Sequence, residues 1–170
     1  MSKPIPVFCL ALALALSQST AWSQTKNEKE NAWLKGVQSV APKAVARYGA
    51  IIASAAKRNG VPSEWLGSIM LVESSGNALV PGGLMQAGES AQSATGIWCN
   101  TREPRCSIEV SAAYLKKLLQ TYDSSWPRAV LAYNKGPNAV RRIKDPYRHQ
   151  YFKRFTYALV VYNDALMHKG

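Results

Sequence analysis

Apolar residues recur every three or four positions along most of the chain beyond residue 40, which is the spacing that places them on one face of an α-helix. The spacing predicts helices over residues 41–59, 63 to 73 or 74, 107–121, 125–133 with a short continuation to about 143, and 147–167. Ser107 is the expected N-cap of its helix, and a further short helix is expected to start near Leu84. Residues 95–105 are expected to be irregular. The pattern predicts an all-α domain, α+β at most, with a small hairpin in the Gly-rich stretch 76–92.

The first 40 residues follow a different pattern. A start made weakly positive by Lys3 precedes an unbroken apolar run over residues 7–16, and the small residues Ser19, Thr20, Ala21 and Ser23 follow. The run is too short for a bilayer-spanning helix of about 20 residues and is typical of a secretory signal peptide. Cleavage after Ala21 and cleavage after Ser23 both fit, and a buried helix or an uncleaved anchor is the alternative. The predicted organisation is a signal peptide over residues 1–23, a flexible leader over 24–40 and a single domain over 41–170.

The chain is strongly basic, with a formal net charge of +11. Such a charge favours anionic partners, and nucleic acid, anionic lipid and a carboxylate-bearing cell-wall polymer all qualify. A basic stretch around residues 141–154 could contact nucleic acid, but runs of this kind more often form a solvated face. Export from the cytoplasm argues against nucleic acid as the partner.

Two cysteines, Cys99 and Cys106, remain after the predicted signal peptide. Seven positions apart in an exported chain, they are expected to form a disulfide. Free or metal-binding thiols are the alternative, but His149 and His168 are both far away in sequence. The sequence therefore predicts a disulfide and neither a metal site nor a cofactor.

Glu73 is the strongest candidate for a catalytic residue. It follows the apolar stripe of its predicted helix, at the spacing that places it on the same face as Ile69 and Met70. Partial desolvation would raise the pKa of such a carboxyl above its free value of about 4.3, as a proton donor at neutral pH requires. The alternative is a structural glutamate paired with an arginine or capping a neighbouring helix.

Three short motifs give Glu73 a context. They are ESSGN beginning at Glu73, GLMQ beginning at Gly83 and AYNKG beginning at Ala132. In this order they resemble the signature blocks of the family 1 (soluble lytic transglycosylase, goose-lysozyme-like) lytic transglycosylase domain. The resemblance covers residues 45–163 and implies a lysozyme-like single domain. The small size resembles the specialised members that accompany secretion, conjugation or pilus machines.

The resemblance implies a reaction and a set of site residues. Glu73 would protonate the bridging oxygen of the MurNAc–GlcNAc β-1,4 bond of peptidoglycan and then act as base on the C6 hydroxyl, which gives a 1,6-anhydro end. Tyr133 would hydrogen-bond Glu73 and hold its rotamer. Substrate contacts are implied for Ser74, Met85, Gln86 and Asn134. The implied setting is the periplasm, with peptidoglycan strands as partner and one of those machines as a further possible partner.

Three alternatives stay open at this point. Met85 and Tyr133 could be core residues, and the segment between the first two motifs is shorter than in many members of the family. A lysozyme-type hydrolase would need a second carboxyl group at about 5 Å or about 6.5–9.5 Å. Glu64 should lie more than about 10 Å away along the helix, which leaves Glu89 as the one acid near a motif. A non-catalytic peptidoglycan-binding protein would share the same charge and aromatic residues.

Overall fold

Helices make up the regular structure of the residues described by the computed structural model, which are 7–168, with side chains for residue 25 and residues 27–168. The helices are α1 (Val7–Asn59), α2 (Ser63–Ser74), α3 (Glu89–Thr95), α4 (Pro104–Thr121), α5 (Trp126–Lys135), α6 (Pro137–Val140) and α7 (Gln150–Met167), with a 3-10 turn at Pro146–Arg148. No strand occurs within residues 7–168, so the all-α prediction is confirmed and the possible hairpin is absent from this part of the chain. Across the same residues, no helix has the length and apolar character needed to cross a membrane.

The chain divides into two compact units, Met1–Gly36 and Val37–Gly170. The described backbone of the first unit is the amino-terminal part of α1. The predicted signal peptide, residues 1–23, lies outside the residues whose side chains are described, and it stays a prediction. Residues 24–40, where the sequence predicts a flexible leader, are helical. Residues 24–35 contain neither Gly nor Pro and are rich in Lys, Glu and Gln, which favour helix.

The second unit is built around α2, which is buried on most of its surface. Leu66 has no exposed surface, and neither have Ile69 and Met70, the two residues predicted to share a face with Glu73. α7 lies against α2 so closely that a Cβ atom on Gly67 would fall inside the ring of Tyr162. Glycine at this position therefore allows the two helices to approach.

An aromatic cluster fixes α5 and α7 against the amino-terminal half of α2. The ring of Trp126 lies 5.6 Å from that of Trp65 and 5.1 Å from that of Phe152, measured between ring centroids. Phe155 completes the cluster, 6.2 Å from both Trp126 and Phe152. Contacts at these separations add to the free energy of burying the rings. Because the rings belong to three helices, the cluster sets where the amino-terminal turns of α5 and α7 lie relative to α2.

Two predicted helix starts are wrong. The short helix begins at Glu89 and not near Leu84, because a turn with positive φ at Gly82, Gly83 and Gln86 interrupts the chain. α4 begins at Pro104, whose fixed φ suits the first helical position, so Ser107 is not its N-cap. The segment before Pro104 is irregular, as predicted.

Candidate active site

Glu73 lies in the last turn of α2, directly before the helix ends. Ser75 adopts the left-handed conformation with φ of 53°, and its N–H caps the helix on the carbonyl of Leu71. The carboxyl is partly buried, and burial is the main reason that its pKa lies above the ordinary value of 4.5. Since the carbonyl end of a helix is negative, its dipole also disfavours a carboxylate there. The structure thus provides the environment that the sequence predicts for a proton donor.

Two side chains from other helices hold this carboxyl. The hydroxyl of Tyr151, in the first turn of α7, donates a hydrogen bond of 2.6 Å to Oε1 of Glu73. The side chain of Asn134, near the end of α5, also hydrogen-bonds the carboxyl. Both bonds favour the charged form, so they oppose the effect of burial on the pKa of Glu73. Glu73 can therefore hold a proton and also be stabilised after losing it.

Tyr151 is the site residue that the sequence analysis missed. Its side chain is only 8% exposed and lies among the buried apolar residues of α7. The pKa of its hydroxyl is raised by burial and by the neighbouring charge of Glu73, so the group remains a donor. The available signal was the hydroxyl itself, because a buried tyrosine needs a polar partner.

The prediction that Tyr133 hydrogen-bonds Glu73 is wrong. The hydroxyl of Tyr133 donates to the carbonyl of Met85 at 2.8 Å and lies 2.7 Å from Oγ of Ser111. Because a phenol has one proton, Ser111 must be the donor in the second bond. Burial is also the main cause of the raised pKa of Tyr133, and the charge of Glu73 adds to it, which places Tyr133 near the acid without a bond to it.

The backbone N–H and carbonyl of Met85 form hydrogen bonds with side chains of α4 and α5. Its N–H donates to Oγ of Ser107 at 3.1 Å, and its carbonyl accepts the bond from Tyr133. Ser107 and Ser111 lie one turn apart on α4, and neither has exposed surface. The two serines and the tyrosine therefore fix the turn that carries the second motif.

Two predicted substrate contacts are not supported by the side-chain positions. The side chain of Met85 has no exposed surface, so it cannot line an open cleft, and the core alternative is correct. Ser74 is 8% exposed, and its hydroxyl donates to the carbonyl of Met70 in its own helix. Both residues face the interior because they lie on the sides of their segments that pack against neighbouring helices.

Gln86 and Asn134 do line a common groove. Gln86 has φ of 52°, and its amide donates to the carbonyls of Pro81 at 2.7 Å and Gly83 at 2.9 Å. The groove has a volume of about 370 Å³. Its lining comprises Gln86, Ala87, Gly88, Ser90, Ala91, Tyr114, Tyr133, Asn134, Lys135 and Gly136. Asn134 lines the groove and also bonds the Glu73 carboxyl, and no carboxyl group is among the lining residues.

The predicted disulfide between Cys99 and Cys106 is present, with a Cα–Cα distance of 6.1 Å. The loop between the two cysteines packs against the turn of the second motif. A Cβ atom on Gly83 would collide with the carbonyl of Thr101 inside this loop, and Gln92 donates to the carbonyl of Cys99 at 3.1 Å. The disulfide therefore stabilises a loop that packs against the groove wall and does not form part of the wall itself.

Comparison with known proteins agrees with this geometry. A solved structure of an inactive glutamate-to-glutamine mutant of the lytic transglycosylase Slt from Pseudomonas aeruginosa is similar, with 25% sequence identity and a TM-score of 0.61. The match covers 73% of this chain but only 25% of that protein, and it confirms the lysozyme-like fold expected from the motifs. The family model named Transglycosylase SLT domain matches residues 50–156. The chain belongs to the transglycosylase SLT domain family.

Proposed function

We propose that this protein is a peptidoglycan lytic transglycosylase that cleaves the MurNAc–GlcNAc β-1,4 bond, with Glu73 as its single acid and base. The observation that carries the proposal is the partly buried Glu73 carboxyl, bonded by Tyr151 and by the groove residue Asn134. Family membership supports the activity, and the similar protein from Pseudomonas aeruginosa is a lytic transglycosylase whose glutamate-to-glutamine mutant is inactive.

The proposed reaction has two proton transfers. Protonated Glu73 gives its proton to the bridging oxygen as the bond from that oxygen to C1 of MurNAc breaks. The resulting carboxylate accepts a hydrogen bond from Tyr151 and another from Asn134, which stabilise its charge. It then removes the proton of the C6 hydroxyl of the same MurNAc as that oxygen bonds to C1. Glu73 is protonated again, the product carries a 1,6-anhydro ring, and no water is consumed.

The distribution of carboxyl groups favours this reaction over hydrolysis. A hydrolase would need a second carboxyl group facing Glu73 across the scissile bond. Glu64 occupies the opposite end of α2, and Glu89 is exposed at the start of α3 without lining the groove. No carboxyl group lines the described groove, and Glu73 is connected to it through Asn134, which suits an internal hydroxyl as the nucleophile.

The same proposal extends to roles and place in the cell. Tyr133 acts by holding the Met85 turn, while Gln86 and Asn134 contact the glycan. The substrate and the predicted signal peptide together support a periplasmic location. The proposed role is local remodelling of the wall, in association with a secretion, conjugation or pilus machine.

Product analysis of purified peptidoglycan digested by residues 24–170 tests the proposal. Mass spectrometry should show muropeptides with anhydro ends, and Glu73→Gln should lower their formation by about a thousandfold or more. Reducing ends with added water would identify a lysozyme-type hydrolase instead. Equal clearance of cell wall by the mutant and the wild type would leave only a binding protein.

A further inference from the structure

A second concave site lies at the opposite end of α2 from Glu73. It is a cavity of about 580 Å³ where the end of α1 meets the start of α2 and the carboxyl-terminal half of α4. Its lining comprises Lys57, Arg58, Asn59, Gly60, Val61, Pro62, Trp65, Lys116, Leu119, Gln120 and Ser124. Trp65 and Glu73 are eight residues apart on one helix, which corresponds to about 12 Å along its axis. The cavity is therefore separate from the groove beside Asn134.

The lining of this cavity combines positive charge with an aromatic wall. Lys57, Arg58 and Lys116 line it, and no acidic side chain does. Arg58 is paired with Glu109, which also accepts a bond from Asn59, so the charge of Arg58 is compensated. Within residues 27–168, neither Lys57 nor Lys116 forms an ion pair. Two ammonium groups thus line the cavity beside an arginine that is already paired.

The indole of Trp65 gives the cavity an apolar wall that does not move freely. Its ring lies 5.6 Å from that of Trp126, within the aromatic cluster of the core. Gln120 and Ser124 add polar groups on the other side. A ligand that suits this lining carries carboxylates for the lysines and aliphatic groups for the indole.

We propose that this cavity binds the peptide stems of peptidoglycan, whose carboxylates and short aliphatic side chains match it, and so holds the enzyme on the wall outside the catalytic groove. This inference rests on the proposed function for the identity of the polymer. An anionic lipid surface fits less well, because the site is concave and the large exposed apolar side chains lie elsewhere, at Leu79, Trp98 and Met167 among others.

Binding to purified sacculi tests the inference in the Glu73→Gln background, where no substrate is consumed. The double variant Lys57→Ala/Lys116→Ala should bind about fivefold more weakly at low salt, as expected from losing two exposed ion pairs. The matched control is Lys43→Ala/Lys144→Ala, which removes the same charge from exposed lysines that do not line the cavity. An equal loss in both variants, or no loss in either, would overturn the proposal.

Two further measurements identify the ligand. Sacculi stripped of peptide stems by an amidase should bind the protein with intact lysines and the double variant equally, and a persistent difference between the two proteins would contradict stem binding. If the double variant binds vesicles of anionic phospholipid more weakly than the protein with intact lysines, but binds sacculi equally well, the cavity would be assigned to membranes instead. With Glu73 intact, cleavage of stem-free glycan oligomers by the double variant should match the wild type. Absence of anhydro products there would refute the proposed function, whereas the binding results stand independently.

Discussion

Tyr151 and Glu73, 78 positions apart in the sequence, are joined by a hydrogen bond of 2.6 Å. The bond connects the first turn of α7 with the last turn of α2. Because the donor is buried and its pKa lies well above 10.0, the hydroxyl keeps its proton in both charge states of the acid. The acid is thereby held by a neutral donor that cannot compete with it as a proton source.

Replacing Tyr151 with Phe removes this bond and leaves the ring in place. Turnover should fall by about 10- to 100-fold, the equivalent of losing one hydrogen bond to a charged group. Because the bond lowers the pKa of Glu73, its loss should raise that pKa and move the alkaline limb of the pH–rate profile to higher pH. Tyr147→Phe is the matched control, since Tyr147 is 57% exposed and its ring contact with Phe152 survives the change. An unshifted limb in Tyr151→Phe would show that the bond does not act on the acid.

Glu73→Gln should also alter the dependence of stability on pH. A carboxyl with a raised pKa in the folded state favours folding when protonated, and this contribution is lost as pH rises from about 4.5 through the folded-state pKa. The variant should therefore be more stable than the wild type at pH 7.5, with the difference disappearing below about pH 4. Urea unfolding at both pH values measures it. A wild type more stable than Glu73→Gln at pH 7.5 would contradict the effect of burial.

Two glycine substitutions separate helix propensity from helix packing. Gly67→Ala places a methyl group inside the Tyr162 ring, so the free energy of unfolding should fall by at least about 1–3 kcal/mol. Gly36→Ala, also within a helix, meets nothing within 4 Å and should raise it by about 0.5–1 kcal/mol. Thermal unfolding followed by circular dichroism compares them. Equal shifts in the same direction would mean that α7 does not lie against Gly67.

Ser107→Ala tests the hydrogen bond that holds the turn at Met85. The buried N–H of Met85 would lose its acceptor, at a cost of about 1–3 kcal/mol in the free energy of unfolding. Turnover should fall as well, because the turn also positions Gln86 in the groove. Ser93→Ala, exposed on α3, should change neither quantity by more than a small amount. Denaturant unfolding and product formation measured on the same samples provide the comparison.

The sequence predicted those features that depend on spacing along one helix. The apolar stripe of α2 set both its burial and the position of Glu73 at its end, and the structure agrees. The partner of Glu73 depends on how α7 docks on α2, which local periodicity does not encode. The third motif indicated Tyr133 as the hydrogen-bond donor to Glu73, whereas Tyr151 occupies the position from which a hydroxyl reaches the acid.

A similar limit explains Met85. Its motif indicated a role in the groove, but a sequence does not distinguish a side chain that contacts ligand from a backbone that is held in place. The structure shows the second arrangement, with both peptide groups of Met85 bonded and the thioether buried. The residue that follows it, Gln86, is the one that reaches the groove.

The position of α7 after α2 in the chain has a consequence for biosynthesis. Glu73 and its helix leave the ribosome long before Tyr151 does, and the ring of Tyr162 that fills the space over Gly67 follows later still. A nascent chain halted before α7 has the acid without its donor and α2 without its cover. The bonding of the acid and the covering of α2 thus depend on the docking of the same helix.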